Sequence, residues 1–345
     1  MLPGISILVT SREQCADLHR LLPMLLEQDY PASYEVIVVD QNSTDDTRPY
    51  LEHMEGLYDN LRVMELPEST RDISPMRLAL TLGFRAASYD WVLVLQANCY
   101  PATPDWLRGM GEACARSQAT QMVLGYTRFV NGEGWHGLRC RFFRAWQQLL
   151  NLSWAERHGA YRCDGTNLCY RRSYFLEHKG FAFDTNLLMG ATDIMVNHHS
   201  TAANTAVNLS PETVMLQDTP RYRSWWYQER LFFMETRRHF RHTCLYRLNY
   251  AWQNLLTWFP TLLAIVGIVY GLVSSFEYAI PISIVLWLII VGLRCYLFNR
   301  RLKQIGEPSI VVAYPLLTHL IVWWDLLAWL RWLFTPKQVF RKKFI

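Results

Sequence analysis

The stretch VLVLQANCYP, residues 92–101, decides how the chain is read. Four aliphatic residues run without a break into two amides, Gln96 and Asn98, with Cys99, Tyr100 and Pro101 behind them. A short, wholly apolar run of this kind predicts a strand covered on both faces. In an open α/β sheet, ligands gather outside the carboxyl ends of such strands. The two amides are spaced like a pair of metal-binding carboxylates, yet neither carries charge. Hard cations take anionic oxygens, so this tip offers a divalent ion nothing but neutral ones.

Upstream, the pattern repeats. ISILVT (5–10) predicts a strand, and Leu18, Leu21, Leu22 and Leu25 share one face of a helix over 14–28. YEVIVVD (34–40) is a second β-branched strand ending in Asp40, and the DQNSTDDT that begins there reads as a turn before a helix from about Thr47. LRVMEL (61–66) predicts a third strand, followed by a helix over 76–87. The order βαβαβ implies a parallel half-sheet with its loops at one edge. Downstream, 134–153 carries Trp135, Leu138, Phe142, Trp146, Leu149 and Leu150 near helical spacing, among Arg139, Arg141 and Arg144. That helix either lies on a membrane surface or covers the domain.

The composition changes near residue 250. Residues 254–276 hold no charge, and 278–298 hold only Arg294. Each approaches the ~20 apolar residues needed to cross a bilayer, so the pair predicts a membrane hairpin. A third run, 309–334, contains Pro315, His319, Asp325 and Arg331; it spans, re-enters or lies in the interface. The expected domains are thus 1–250 and 251–345. MLPGISILVTSR reads directly into a strand rather than as a secretory leader, and Arg237, Arg238, Arg241, Arg247, Arg300, Arg301 and Lys303 flank the hairpin. Both features place the first domain in the cytoplasm. The formal charge of +4 is mild, and the basic clusters suit a membrane surface rather than nucleic acid. Eight cysteines without a CxxC pair read as reduced packing residues.

With these pieces assembled, the chain resembles the membrane-bound bacterial family-2 glycosyltransferases with a GT-A fold. ISPMRLALTLGFRAASYDWVLVLQANCYP is similar to the segment leading to that family's Asp-x-Asp. DGTNLCYRRSYFLEHKGF resembles its Gly-x-Asn segment, MGATDIMVNHHST stands where it carries Glu-Asp, and SWWYQERLFF where a Gln-x-x-Arg element precedes the membrane. The resemblance implies nucleotide contacts at Asp40, Arg77, Gln96 and Asn98, in use or vestigial, and acceptor-side or anchoring roles for Asn167, Gln228 and Arg230. It also implies Mg or Mn, but the ligand positions are Gln96 and Asn98, and the acid pair is Ala191 and Thr192. Neither of the latter takes a proton near neutral pH. Asp193, one residue on, is then the base if the protein is active.

No metal cofactor is therefore expected. The expectation is a catalytically inactive, membrane-anchored scaffold or regulatory subunit of a cell-envelope complex in the bacterial inner membrane. Its partners would be lipid and one or more proteins, with a second copy among the candidates. The alternative is a metal-independent transferase moving a sugar from a nucleotide donor to a lipid-linked or polysaccharide acceptor, with basic residues such as Arg77 and Arg230 offsetting the diphosphate charge.

Overall fold

The structure, a computed structural model, describes residues 1–67, 74–163, 165–181, 187–222, 224–241, 243–274 and 276–341. Its contacts divide the chain into two units, Met1–Arg241 with Arg331–Ile345, and His242–Leu330. The last residues of the chain thus group with the first unit.

In the first unit the elements follow one another as β1 (Ile5–Ser11), α1 (Cys15–Leu26), β2 (Tyr34–Asp40), α2 (Thr47–Glu55), β3 (Leu61–Glu65), α3 (Pro75–Ala86) and β4 (Trp91–Gln96). Then come β5 (Cys99–Pro101), α4 (Trp106–Ala115), β6 (Met122–Gly125), β7 (Thr127–Val130), α5 (Gly134–His158), β8 (Leu168–Arg171) and α6 (Arg172–Glu177). The unit continues with α7 (Ala191–His199), β9 (Thr205–Asn208), β10 (Met215–Asp218) and α8 (Trp225–Thr236). Seven strands form one sheet in the order β3-β2-β1-β4-β8-β6-β9, and β5-β10-β7 form a second.

The parallel half, β3-β2-β1-β4, is the βαβαβ array expected from the sequence. β1 is buried along its whole length, as is β4 up to Gln96. Leu18, Leu21, Leu22 and Leu25 of α1 are essentially inaccessible. Each leucine contributes about 1.5–3 kcal/mol through burial. On α3, a Cβ at Gly83 would lie 2.2 Å from Leu8 Cδ1, so glycine lets this helix sit hard against β1. β8 enters antiparallel between β4 and β6. The register pairs Thr10 with Gln96 and Ser11 with Asp40, so the polar tips share one edge.

Helix α5 is buried round most of its girth: Phe142, Phe143, Arg144, Ala145, Gln147 and Gln148 are all buried, while Trp135 is 48% exposed. Its middle is a covering helix of the domain, not a face turned outward. His198 and His199 close α7.

The second unit holds three helices long and apolar enough to cross a membrane: α9 (Cys244–Val273), α10 (Ala279–Gln304) and α11 (Tyr314–Phe334), the last ending in the first unit. α9 and α10 run past the apolar limits into the basic flanks, because a helix does not stop where its apolar stretch does. Within the third run, Tyr314–Phe334 is one continuous helix. Its polar residues find partners inside the unit. Tyr250 donates to Asp325. His319 Nδ1 lies 2.6 Å from Pro315 O and Nε2 lies 2.9 Å from Thr261 Oγ1. This assigns the proton to Nδ1 and lets the Thr261 hydroxyl donate, while Trp287 Nε1 donates to that hydroxyl at 3.0 Å. In lipid such bonds satisfy groups that have no water to turn to.

Candidate functional site

A cleft of about 490 Å³ opens at the carboxyl ends of β1 and β4. Thr10, Gln96 and Asn98 line one wall, and Ala191, Thr192 and Asp193 at the start of α7 line another. Gln217 and Asp218 come from β10, Arg144 from α5, and Gln228 and Glu229 from α8.

The β4 tip is wired by hydrogen bonds. Asn98 Oδ1 accepts from Gln217 Nε2 at 3.2 Å, and Gln217 Oε1 accepts from Arg144 Nη2 at 2.6 Å. β10 runs antiparallel to β5 with Gln217 opposite Cys99, which brings its amide to Asn98. The Arg144 side chain is 7% exposed, and its guanidinium lies 4.4 Å above the Phe129 ring. The amide chain therefore ends in a buried positive charge. Two neutral amides backed by a guanidinium do not fit a divalent cation, which needs anionic oxygens. Among the described residues, no three His, Cys, Asp or Glu side chains converge to hold a metal.

Across the cleft, Gly190 starts α7 with φ +86°, the left-handed region. Asp193 in the first turn is 5% exposed. Its Oδ1 accepts from Cys163 N at 2.9 Å and Arg162 Nε at 3.3 Å, and its Oδ2 from Arg162 Nη2 at 3.4 Å. Arg162 also lies 3.6 Å from Glu229 and 4.2 Å above the Phe233 ring. Both oxygens of Asp193 thus face donors, and the geometry is that of a buried structural ion pair.

The cleft gathers Gln96, Asn98, Ala191, Thr192, Asp193 and Gln228 from the sequence-derived candidates. The others lie elsewhere. Asp40, 3% exposed, accepts from Ser43 N at 2.9 Å and Ser43 Oγ at 2.6 Å, which closes the turn after β2. Arg77 donates to Phe181 O. Arg230 lies over the Trp226 and Phe233 rings at 5.3 and 5.5 Å, so neither cation proposed for the diphosphate lines the cleft. Asn167 Nδ2 donates to Tyr126 O at 3.1 Å and Thr213 O at 2.9 Å, an anchor between segments.

Arg144, Arg162, Gln217, Asp218 and Glu229 were missed as cleft residues. Arg144 was visible as part of a basic helix but carried no sign that it turned inward. Asp218 accepts from Asn131 Nδ2 at 2.8 Å and Arg20 Nη2 at 2.9 Å. Partial burial works against its ionisation, but Arg20 and Asn131 outweigh it and hold the carboxyl below its usual range.

The family model for glycosyl transferase family 2 matches residues 6–178. The chain belongs to glycosyltransferase family 2. One family relative, glycosyltransferase AglE of Haloferax volcanii, is 26% identical over 134 residues, 39% of this chain. The chain spans 42% of that relative's length. Among solved structures, the mannosyltransferase PcManGT from Pyrobaculum calidifontis, in complex with GDP-Man and Mn2+, matches with a TM-score of 0.53 at 16% identity. The match covers 94% of this chain and 88% of that one. TarS from S. aureus (residues 1–349) aligns at 17% identity with a TM-score of 0.48, covering 94% and 89%. At such identities the PcManGT likeness shows the fold alone: a GT-A-like domain, here followed by three apolar helices.

Proposed function

We propose that this protein is a membrane-anchored family-2 glycosyltransferase-like subunit that lacks metal-dependent sugar transfer. Its place would be a bacterial inner membrane, with the GT-A-like domain, 1–250, facing the cytoplasm and the apolar helices within 251–334 holding it in lipid. There it would serve as scaffold or regulatory partner in a cell-envelope complex. One observation carries the reading: the Asn98–Gln217–Arg144 chain puts a guanidinium behind the amides at the corner where the family resemblance seats a cation. A divalent ion placed against this chain meets neutral amide oxygens with a like charge behind them. Asp193, turned to Arg162 and Cys163 N, is poorly placed to take a proton from an acceptor.

Calorimetry on the full chain in nanodiscs, with GDP-mannose, UDP-glucose and UDP-N-acetylglucosamine and with or without Mn2+, tests it. The expected result is no Mn2+-dependent heat and no released nucleoside diphosphate. Product formed only in the presence of Mn2+ overturns it. Purification of the membrane-extracted chain should also recover a stoichiometric polypeptide partner.

A second reading is metal-independent transfer, favoured by Arg144 itself: a cation built into the cleft wall can offset a diphosphate without an ion. Turnover that persists in EDTA and is abolished by Arg144→Gln selects this reading over the first.

A further inference from the structure

After α11 the chain turns at Pro336 into a 3-10 turn, Lys337–Phe340, within the first unit. Three kinds of contact hold it there. Phe340 is 1% exposed and meets the Phe232 ring edge-on at 5.4 Å. Leu188 N donates to Phe340 O at 3.1 Å, and Leu187 bridges Arg341 in antiparallel fashion. Glu235 of α8, with its side chain 1% exposed, accepts from Trp332 Nε1 at 2.9 Å. The same carboxylate lies 3.4 Å from Lys337 Nζ and 3.5 Å from Arg238 Nη1. Burial alone would raise the Glu235 pKa; Trp332, Lys337 and Arg238 reverse this and hold it below the usual range.

The other side of these contacts is the cleft. Leu188, Met189 and Gly190 line it directly before Ala191, and so does Phe232. Leu188 and Met189 are 41% and 54% exposed. A wall segment whose large apolar side chains face outward gains little from burial and has little of its own to fix its position. Its backbone is fixed at one end by Phe340 and Arg341. At the other, Gly190 lies so close to Thr236 that a Cβ would sit 2.3 Å from Thr236 Cγ2.

We infer that residues 335–341 are a strap that sets this wall of the cleft, so that docking of the C-terminal segment and the ordering of Leu187–Gly190 are one event. Undocking Phe340 removes the acceptor for Leu188 N and the ring on Phe232 together, which frees the wall to move and widens the cleft. The strap follows a membrane-length helix in the chain, so whatever draws Lys337 or Arg341 away from the first unit acts on the cleft. This inference stands whether or not the cleft performs chemistry.

Hydrogen exchange read by mass spectrometry on the full chain in nanodiscs tests the coupling, with Phe340→Ala and Lys337→Gln as variants. In Phe340→Ala, peptides covering 187–193 and 335–341 should exchange faster by about tenfold, as expected when a packed ring and the backbone bond beside it are lost. Peptides of β1 and β2 should not change. Lys337→Gln should accelerate the same two regions by a smaller factor. Lys337 is partly exposed, so that variant decides the matter if loss of Phe340 disturbs the whole fold. Faster exchange over 335–341 with 187–193 unchanged overturns the inference. So does the absence of any change in both variants, which would mean these contacts do not hold the strap.

Discussion

Two strand tips flank β1, and they end in opposite ways. β2 finishes in a carboxylate, Asp40, almost wholly buried and closed over by the amide and hydroxyl of Ser43. β4 finishes in amides, joined through Gln217 to the Arg144 guanidinium. From Val36 in β2 and Trp91 in β4, both strands are apolar and buried until their last residues, so the sheet fixes where a polar tip emerges and not its charge. What arrives from outside the parallel half decides that: a local turn at β2, and β10 with α5 at β4.

The hardest way to break this arrangement is at the cations. Arg162→Met leaves Asp193 and Glu229 without their shared partner. Removing one side of a buried ion pair costs about 3–5 kcal/mol, so thermal denaturation of the purified protein should shift down strongly. Fluorescence-monitored melting checks it.

A sharper comparison comes from truncating each tip. Asp40→Ala removes the acceptor for two donors and should cost about 1–3 kcal/mol. Asn98→Ala, at a partly exposed amide, should cost about 1 kcal/mol or less. Equal losses would show that the two tips are not different in kind.

The charge difference itself can be rewritten. Gln96→Asp with Asn98→Asp should gain little Mn2+ affinity while Arg144 stands behind them. Adding Arg144→Gln should let Mn2+ raise the melting temperature by a few degrees. A comparable Mn2+ shift in the double variant would show that the guanidinium does not oppose the ion.

The smallest effect lies away from both tips. Burial first, then the neighbouring His178, His198 and Arg241, push His199 down to about 4. An unfolded chain takes up that proton near the ordinary value of about 6.5 and the folded one does not. Stability should therefore fall as pH drops from about 6.5 towards 4. His199→Gln should flatten that slope in melts taken across the range.

The parallel half was legible because strands buried on both faces leave apolar runs and α1 leaves its leucines at helical spacing. The insertion of β8 and the whole second sheet were not. Strands such as CYP, TRFV and MLQD are too short to show any alternation. The Gln96–Asn98 tip was readable as a neutral site, but its partners were not. Gln217 lies 119 residues beyond Asn98, and Arg144 sits on a helix whose mixed aromatic and basic composition left a membrane-surface and a domain-covering role equally open. Arg77 and Arg230 were proposed as diphosphate cations on the family resemblance and their charge; their neighbours, Phe181 and the α8 aromatics, hold them elsewhere.

β10 carries one further consequence. Gln217 faces Asn98 because of its pairing opposite Cys99, and the next residue along that strand is Asp218. Side chains alternate along a strand, so a slip of one position would turn Asp218 to the face that Gln217 now occupies. An acidic group would then stand between Asn98 and Arg144. The link from Asn98 through Gln217 to Arg144 is therefore set by main-chain alignment in a three-stranded ribbon, and an insertion or deletion in the 211–214 turn would rewire it without altering a single cleft residue.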